Sequence, residues 1–211
     1  MVTPRYMVDA TNFKELAENI PEDVCRRALC RYDQIEKCYI VSVWGDEYAV
    51  YPYDLKIERI KIESKINHIH DYFYIFIINY LLQVKDTKLA QEWISEKDIP
   101  GGSTFFRGPH EIPTNFISSR YSGNIENFRK VCQELGGEPI NMADAAYAFK
   151  ITERIVAAVL FWDKDEDFPA EAKIVYDKSI ADHFVLDVTF ALAVGICSII
   201  GKAVNFADND D

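Results

Sequence analysis

Between residues 5 and 19 the apolar positions (Tyr6, Phe13, Leu16, Ala17, then Ile20) fall at helical spacing among charged neighbours, which predicts an amphipathic helix. Pro21 followed by Glu22 and Asp23 puts a proline at a first turn with acids behind it, and predicts a second helix to about Cys30. From Cys38 the texture changes. CYIVSVWGDEYAVYPY is β-branched and aromatic on both sides of Gly45-Asp46 and reads as a β-hairpin, and KIERIKIE behind it alternates well enough to supply a further strand. Residues 68–84 form a strongly apolar helix. Its polar positions His68, Asp71, Asn79 and Gln83 share one stripe, expected to face solvent or an adjoining loop.

QEWISEKDI leads into PGGSTFFRGPHEIP, which holds three Gly and three Pro in 14 residues, so regular structure is not expected through most of it. Residues 112–121 and 125–135 read as helices, the second starting after Asn124 and ending at Gly136-Gly137. Residues 143–150 and 154–162 read as a second hairpin around Thr152-Glu153. Its arm IVAAVLFW is apolar on both faces and belongs inside a sheet. An acidic loop (DKDED), then FPAEAKIVYD, then a helix from about Leu186 complete the pattern. No linker or fixed-period repeat divides the chain. The order predicts one α+β domain over residues 1–206, an antiparallel sheet built from the two hairpins with packed helices, and an acidic tail over 207–211. Phe73, Phe76, Ile77, Leu81, Val159, Phe161, Leu192 and Ile196 are expected in one core.

Composition narrows the partners. Lys plus Arg total 23 against 34 Asp plus Glu, a net charge of −11 with no basic stripe, which argues against nucleic acid. Cys25, Cys30, Cys38, Cys132 and Cys197 contain no C-x-x-C pair, so no iron–sulfur cluster is expected. With no signal peptide, they read as reduced thiols of a soluble cytoplasmic protein. Residues 72–84 are interrupted by Asn79 and Gln83. Residues 188–201 would rise about 21 Å as a helix against a hydrocarbon core of about 30 Å, so neither segment is expected to cross a membrane.

Candidate chemistry lies in two loops. In GGSTFFRGPH, glycines Gly101 and Gly102 let backbone approach a ligand, Thr104 adds a hydroxyl, Arg107 offers a planar fork for an anion, and His110 a titratable nitrogen. The competing reading is a structural turn. After Trp162, Asp163, Asp165 and Asp167 stand at alternate positions, with Glu171 and Asp177 nearby, and could hold Mg²⁺ or Ca²⁺. An EF-hand is excluded, because Phe168 and Ile174 occupy the positions that need Gly and Glu. The competing reading there is a solvated acidic loop. Arg107 and His110 are expected to share one cleft with these acids. Ser103, Ser118, Ser119 and Ser122 lack a nucleophile-elbow context, and His183 beside Asp182 reads as a local helix cap.

The stretch LFWDKDEDFPAEAKIVYDKSIADHF resembles the C-terminal signature of the bacterial and archaeal family catalogued as domain of unknown function 3786: apolar strand, Trp, acidic loop with Phe-Pro-Ala, then a Phe/Tyr-Asp-x-Ser turn. WISEKDIPGG, GGSTFFRGPH and LGGEP are similar to that family's middle portion. The family carries no assigned activity. The resemblance implies an anaerobe's protein, and some members add a cysteine-rich module for an iron–sulfur cluster, which this chain, beginning directly at the domain, is expected to lack. The favoured expectation is a non-catalytic module that binds a small anionic metabolite or cofactor between the GGSTFFRGPH loop and the acidic turn after Trp162, with Gly101, Gly102, Thr104, Arg107, His110 and Trp162 as its ligand-binding residues. The alternatives are a divalent-metal enzyme on the acidic loop, or an interaction protein for a corrinoid or one-carbon complex.

Overall fold

A computed structural model describes residues 8–66 and 69–202 of the chain. Helix α1 (Ala10–Glu18) starts at Asp9, whose carboxylate accepts the Thr11 amide at 2.8 Å. Helix α2 (Pro21–Ala28) has Pro21 in its first turn, acids Glu22 and Asp23 beside it, and Arg26 and Arg27 in its last turn, each matched to the helix dipole. It stops at Leu29, which takes left-handed backbone angles.

Strands β1 (Arg31–Asp33), β2 (Cys38–Val43), β3 (Asp46–Tyr51) and β4 (Lys56–Lys61) form an antiparallel meander in that order. Val43 pairs with Asp46, so the turn residues are Trp44-Gly45 rather than Gly45-Asp46. Both have positive φ, 49° and 84°. A two-residue hairpin turn of this hand suits strand twist, but an aromatic side chain in its first position is costly and needs outside support. Asp46 is consequently a strand residue. It is fully buried, with its carboxylate taking the Glu63 and Ser64 amides and the Ser64 hydroxyl at 2.8 Å each, and the Arg59 Nε at 2.7 Å.

Helix α3 (Asp71–Gln83) follows. Its expected polar stripe is corrected in part: Asn79 is buried, donating to the Ile75 carbonyl and accepting from Gln83, so a helix-local pair replaces solvent, while His68 lies outside the described residues. Next come β5 (Trp93–Ser95), a 3₁₀ turn (Glu96–Asp98), α4 (Gly102–Phe105), a second 3₁₀ turn (Gly108–His110), α5 (Asn115–Tyr121) and α6 (Ile125–Glu134). The rest of the chain is β6 (Glu138–Pro139), β7 (Ala145–Lys150), β8 (Val156–Trp162), β9 (Glu171–Asp177), α7 (Ile180–His183) and α8 (Leu186–Gly201).

The class is α+β as the order of elements implies, but the two hairpins do not share one sheet. β2–β3 sits in the four-stranded meander, while β7–β8 sits in a five-stranded antiparallel sheet ordered β5-β9-β8-β7-β6. The sheets are joined through Trp44. Its amide donates to the Ile151 carbonyl at 2.7 Å and its indole Nε1 to the Leu135 carbonyl at 2.9 Å. These two bonds hold the strained turn residue in place.

One core spans both sheets. All eight residues expected to share it do so, each fully buried, along with Trp44 from the first sheet and Tyr147 from the second. α3 and α8 cross within it at Gly195, where a Cβ would lie 2.6 Å from the Phe73 ring, so only glycine permits this approach. On β8 the alternation is clear. Ala157, Val159 and Phe161 face this core, while Ala158, Leu160 and Trp162 join Trp93, Ile140, Met142 and Val175 on the opposite face of the sheet. Among the described residues no helix is long and apolar enough to cross a membrane.

Candidate functional site

The glycines of the Gly/Pro segment serve the chain itself. Gly101 takes φ 79°, and a Cβ on Gly102 would sit 1.9 Å from the Glu96 carbonyl oxygen, so the backbone passes directly over its own 3₁₀ turn. Thr104 and Arg107 are exposed, and Arg107 makes no ion pair among the described residues. The His110 ring stacks on Phe105 at 4.4 Å and meets Phe190 of α8 edge-on at 5.5 Å.

The acidic turn is elsewhere. Asp163 Oδ1 accepts the Gly123 amide at 2.6 Å and the Lys164 amide at 2.8 Å, and Asp165 Oδ1 accepts the amides of Asp167 and Phe168 at 2.8 and 2.7 Å. These carboxylates close their own loop and fasten it to the α5–α6 turn, which is why Asp163, Asp165 and Asp167 do not converge. Among the described residues no group of three or more His, Cys, Asp or Glu could hold a metal ion, so the expected metal site is not assembled. The shared cleft with Arg107 and His110 does not form either. His110 meets α8 at Phe190, whereas the α5 end beside Asp163 is tied to α8 by Tyr121, whose hydroxyl donates to the Ile200 carbonyl. Ten helical residues, about 15 Å, separate these anchors. Trp162 points to the sheet's opposite face, with the Lys173 ammonium 5.5 Å from its ring centroid.

What the fold does bring together are two other segments, WISEKDIPGG and YDKSIADHF. They border a cleft of about 790 Å³ at the β5 edge of the five-stranded sheet, lined by Trp93, Ile94 and Pro100 from the first and by Lys178, Ser179 and Asp182 from the second, with Thr87 and Lys88 closing one side. Gly101 and Gly102 follow directly on Pro100. Each wall is fixed locally. Ser95 and Asp98 form a reciprocal cap on the 3₁₀ turn, with the Asp98 carboxylate accepting the Ser95 amide and hydroxyl at 2.8 and 2.7 Å.

The loop between α3 and β5 is held by buried acceptors. Asp177 is 6% exposed and its carboxylate receives the amides of Ala90 (2.9 Å), Gln91 (2.7 Å) and Ser179 (3.0 Å) and the Ser179 hydroxyl (2.6 Å). Burial by itself would raise this carboxyl, but the donors from Ser179, Ala90 and Gln91 together outweigh it and hold the group below the ordinary carboxylate value. His183 is buried at the end of α7, where its Nδ1 accepts the Lys85 amide at 3.2 Å. It pins this loop rather than capping its own helix, a correction to the sequence reading. That bond places the ring proton on Nε2, which has no partner among the described residues. Burial pushes the imidazole below its ordinary value, and the positive charges of Arg154 and Lys85 act the same way against Asp182.

The charges in the cleft are unequal in their engagement. Lys178 pairs with Glu92 at 2.9 Å and Asp98 serves its cap, whereas Lys88 has no ion pair among the described residues. A second cleft, about 540 Å³, lies where the two hairpin tips meet beside Trp44. Its lysines are already matched, Lys150 with Glu153 at 2.6 Å and Lys65 with Glu134 at 3.9 Å.

Fold and site thus define an α+β domain with a cleft sized for a small molecule at a sheet edge. The chain matches, over residues 21–198, the family described as Domain of unknown function (DUF3786), and it belongs to that family. No match was found among curated proteins or among solved structures.

Proposed function

We propose that the protein is a non-catalytic module that binds a small anionic metabolite or cofactor in the cleft between β5 and α7. The observation that carries this reading is the convergence of Trp93, Lys88 and the Ser179 turn on one cavity of about 790 Å³. That volume lies within the range of small-molecule sites, and the lining combines one aromatic wall with seven polar or charged residues, of which Lys88 is the cation without an ion pair among the described residues. Lys88 would meet the anionic group, the Trp93 ring would take a flat apolar portion, and Asp182 would accept from a hydroxyl or amine at the other end. The pinned loop and the capped 3₁₀ turn preorganise these walls, which lowers the ordering cost of binding. The test is anaerobic purification followed by mass spectrometry of whatever co-purifies. Retention of one organic anion by the wild type and its loss from a folded Lys88→Glu variant supports the reading. Equal retention by both variants, or none by either, overturns it.

A second reading, an interaction protein, draws on the outer face of the five-stranded sheet, where half-buried Ile140 and Met142, with Trp93 and Trp162 towards opposite ends of β9, border one small apolar cluster. A purified chain free of small molecules that still captures a defined complex, and loses it on Trp162→Glu, would favour that alternative.

A further inference from the structure

The end of α2 brings two cysteines together. Leu29 adopts φ 51°, and the amides of Leu29 and Cys30 both donate to the Cys25 carbonyl, the latter at 3.2 Å. With Leu29 left-handed, this 6→1 bond doubles the chain back and sets the first and sixth residues of the turn side by side. In this chain they are Cys25 and Cys30, with their Sγ atoms 3.8 Å apart. No other pair of sulfurs is in contact among the described residues, and Cys38, Cys132 and Cys197 are buried. Cys25 and Cys30 are the two cysteines that are not fully buried, and Cys25, the less enclosed of them, is the one a small reagent would meet first.

We propose that Cys25 and Cys30 form a reversible thiol–disulfide site that reacts with low-molecular-weight disulfides. Sulfur–sulfur contact must shorten by about 1.8 Å to reach a bond of 2.03–2.05 Å, a change within reach of side-chain rotation. The backbone bonds that fix the turn need not break. In the first step the Cys25 thiolate attacks one sulfur of an external disulfide RSSR, and the departing thiolate takes up the proton Cys25 gave up. In the second, the Cys30 thiol gives up its proton, its sulfur attacks the Cys25 sulfur, and the second RS group leaves as RSH. Two cysteine thiols are oxidised, one RSSR is reduced to two RSH, and protons balance. Burial pushes both thiols above the ordinary value, which slows the attack and favours the disulfide once formed.

The turn is well placed to transmit its state. The Ala28 carbonyl between the two cysteines accepts the Tyr80 hydroxyl at 2.8 Å, and the Arg27 guanidinium donates to the Val84 carbonyl at 2.6 Å, where α3 gives way to the cleft-forming loop. A bond between the sulfurs therefore stiffens the clamp on the end of α3.

The experiment uses the folded full chain in anaerobic glutathione buffers, followed by acid quench, alkylation, tryptic digestion and mass spectrometry. Trypsin cuts after Arg26 and Arg27, so Cys25 and Cys30 fall on different peptides unless a disulfide joins them. Expected is one cross-linked peptide pair that appears with oxidised glutathione and disappears with dithiothreitol, while Cys38, Cys132 and Cys197 react only after unfolding. Cys25→Ser and Cys30→Ser, checked for fold by circular dichroism, should instead retain a glutathione adduct on the remaining cysteine. The proposal is overturned if both thiols of the wild type stay alkylatable in a buffer that oxidises the unfolded chain, or if a glutathione adduct on Cys25 persists unresolved.

Discussion

Replacing Asp177 by alanine removes four acceptor contacts at once, from the amides of Ala90, Gln91 and Ser179 and from the Ser179 hydroxyl. Hydrogen bonds to a charged group contribute about 1.5–3 kcal/mol each, and a buried donor left without a partner costs about 1–3 kcal/mol. The Ala90 and Gln91 amides are only partly buried, so water can recover some of that loss. A net destabilisation of about 3 kcal/mol follows, and for a domain of this size it corresponds to a fall in melting temperature of roughly 6–12 °C. Asp177→Asn, which keeps the shape but turns one acceptor into a donor, should fall between wild type and alanine. Thermal melts by circular dichroism give the global figure. Amide hydrogen exchange gives the local one: residues 85–92 should lose protection in the alanine variant while the α3–α8 pair keeps it. A melting shift under about 2 °C with unchanged exchange at Ala90 and Gln91 would refute the claim that this carboxylate holds the cleft wall.

Three further outcomes follow from packing and charge. Gly102→Ala drives a Cβ into the Glu96 carbonyl and should cost about 1–3 kcal/mol, read as a lowered denaturant midpoint at unchanged slope. Trp44→Phe keeps a ring but orphans the Leu135 carbonyl, so a loss of about 1–2 kcal/mol is expected in the same assay, and an unchanged midpoint would mean that the indole bond does not join the sheets. His183 has its folded value below the ordinary 6.5, so as pH falls the unfolded chain takes the proton first. Its contribution is complete above about pH 6.5 and is lost as pH drops below that. Melting temperature should therefore decline from pH 7 to pH 5, and His183→Asn, which retains an acceptor for the Lys85 amide, should flatten that slope.

Elements were legible where pattern is dense. The alternating and β-branched runs gave both hairpins, and the unbroken apolar runs marked α3 and α8 as core. Sheet membership was not, because β2–β3 and β7–β8 look alike as hairpins, and the second sheet is completed by the non-local pairing of β5 with β9. The role of Trp44 depends on a carbonyl 91 residues away, which no local pattern signals. Asn79 reads as solvent-facing because a helical wheel registers polarity, not that Ile75 and Gln83 satisfy the amide within the same helix. The Gly101-Gly102 pair shows the same limit: a glycine that admits a ligand and one that admits the chain's own carbonyl are identical in sequence. Asp177 was visible only as one acid among several near the DKDED loop. The Tyr-Asp-x-Ser spacing was its signal, since a serine two residues on can fold back onto the carboxylate.

Three tryptophans report on three separate places: Trp44 at the joint between the sheets, Trp93 in the cleft, and Trp162 at the end of β8 on the outer face. The indole N–H resonances of ¹⁵N-labelled full-length protein, recorded while phosphorylated and dicarboxylate metabolites are added singly to about 1 mM, test the binding site most directly. At least one such anion should move the Trp93 resonance, leave Trp44 and Trp162 in place, and lose its effect in Lys88→Glu. A ligand that moves Trp44 or Trp162 while Trp93 stays fixed, or a full series in which no indole moves, would contradict binding in this cleft.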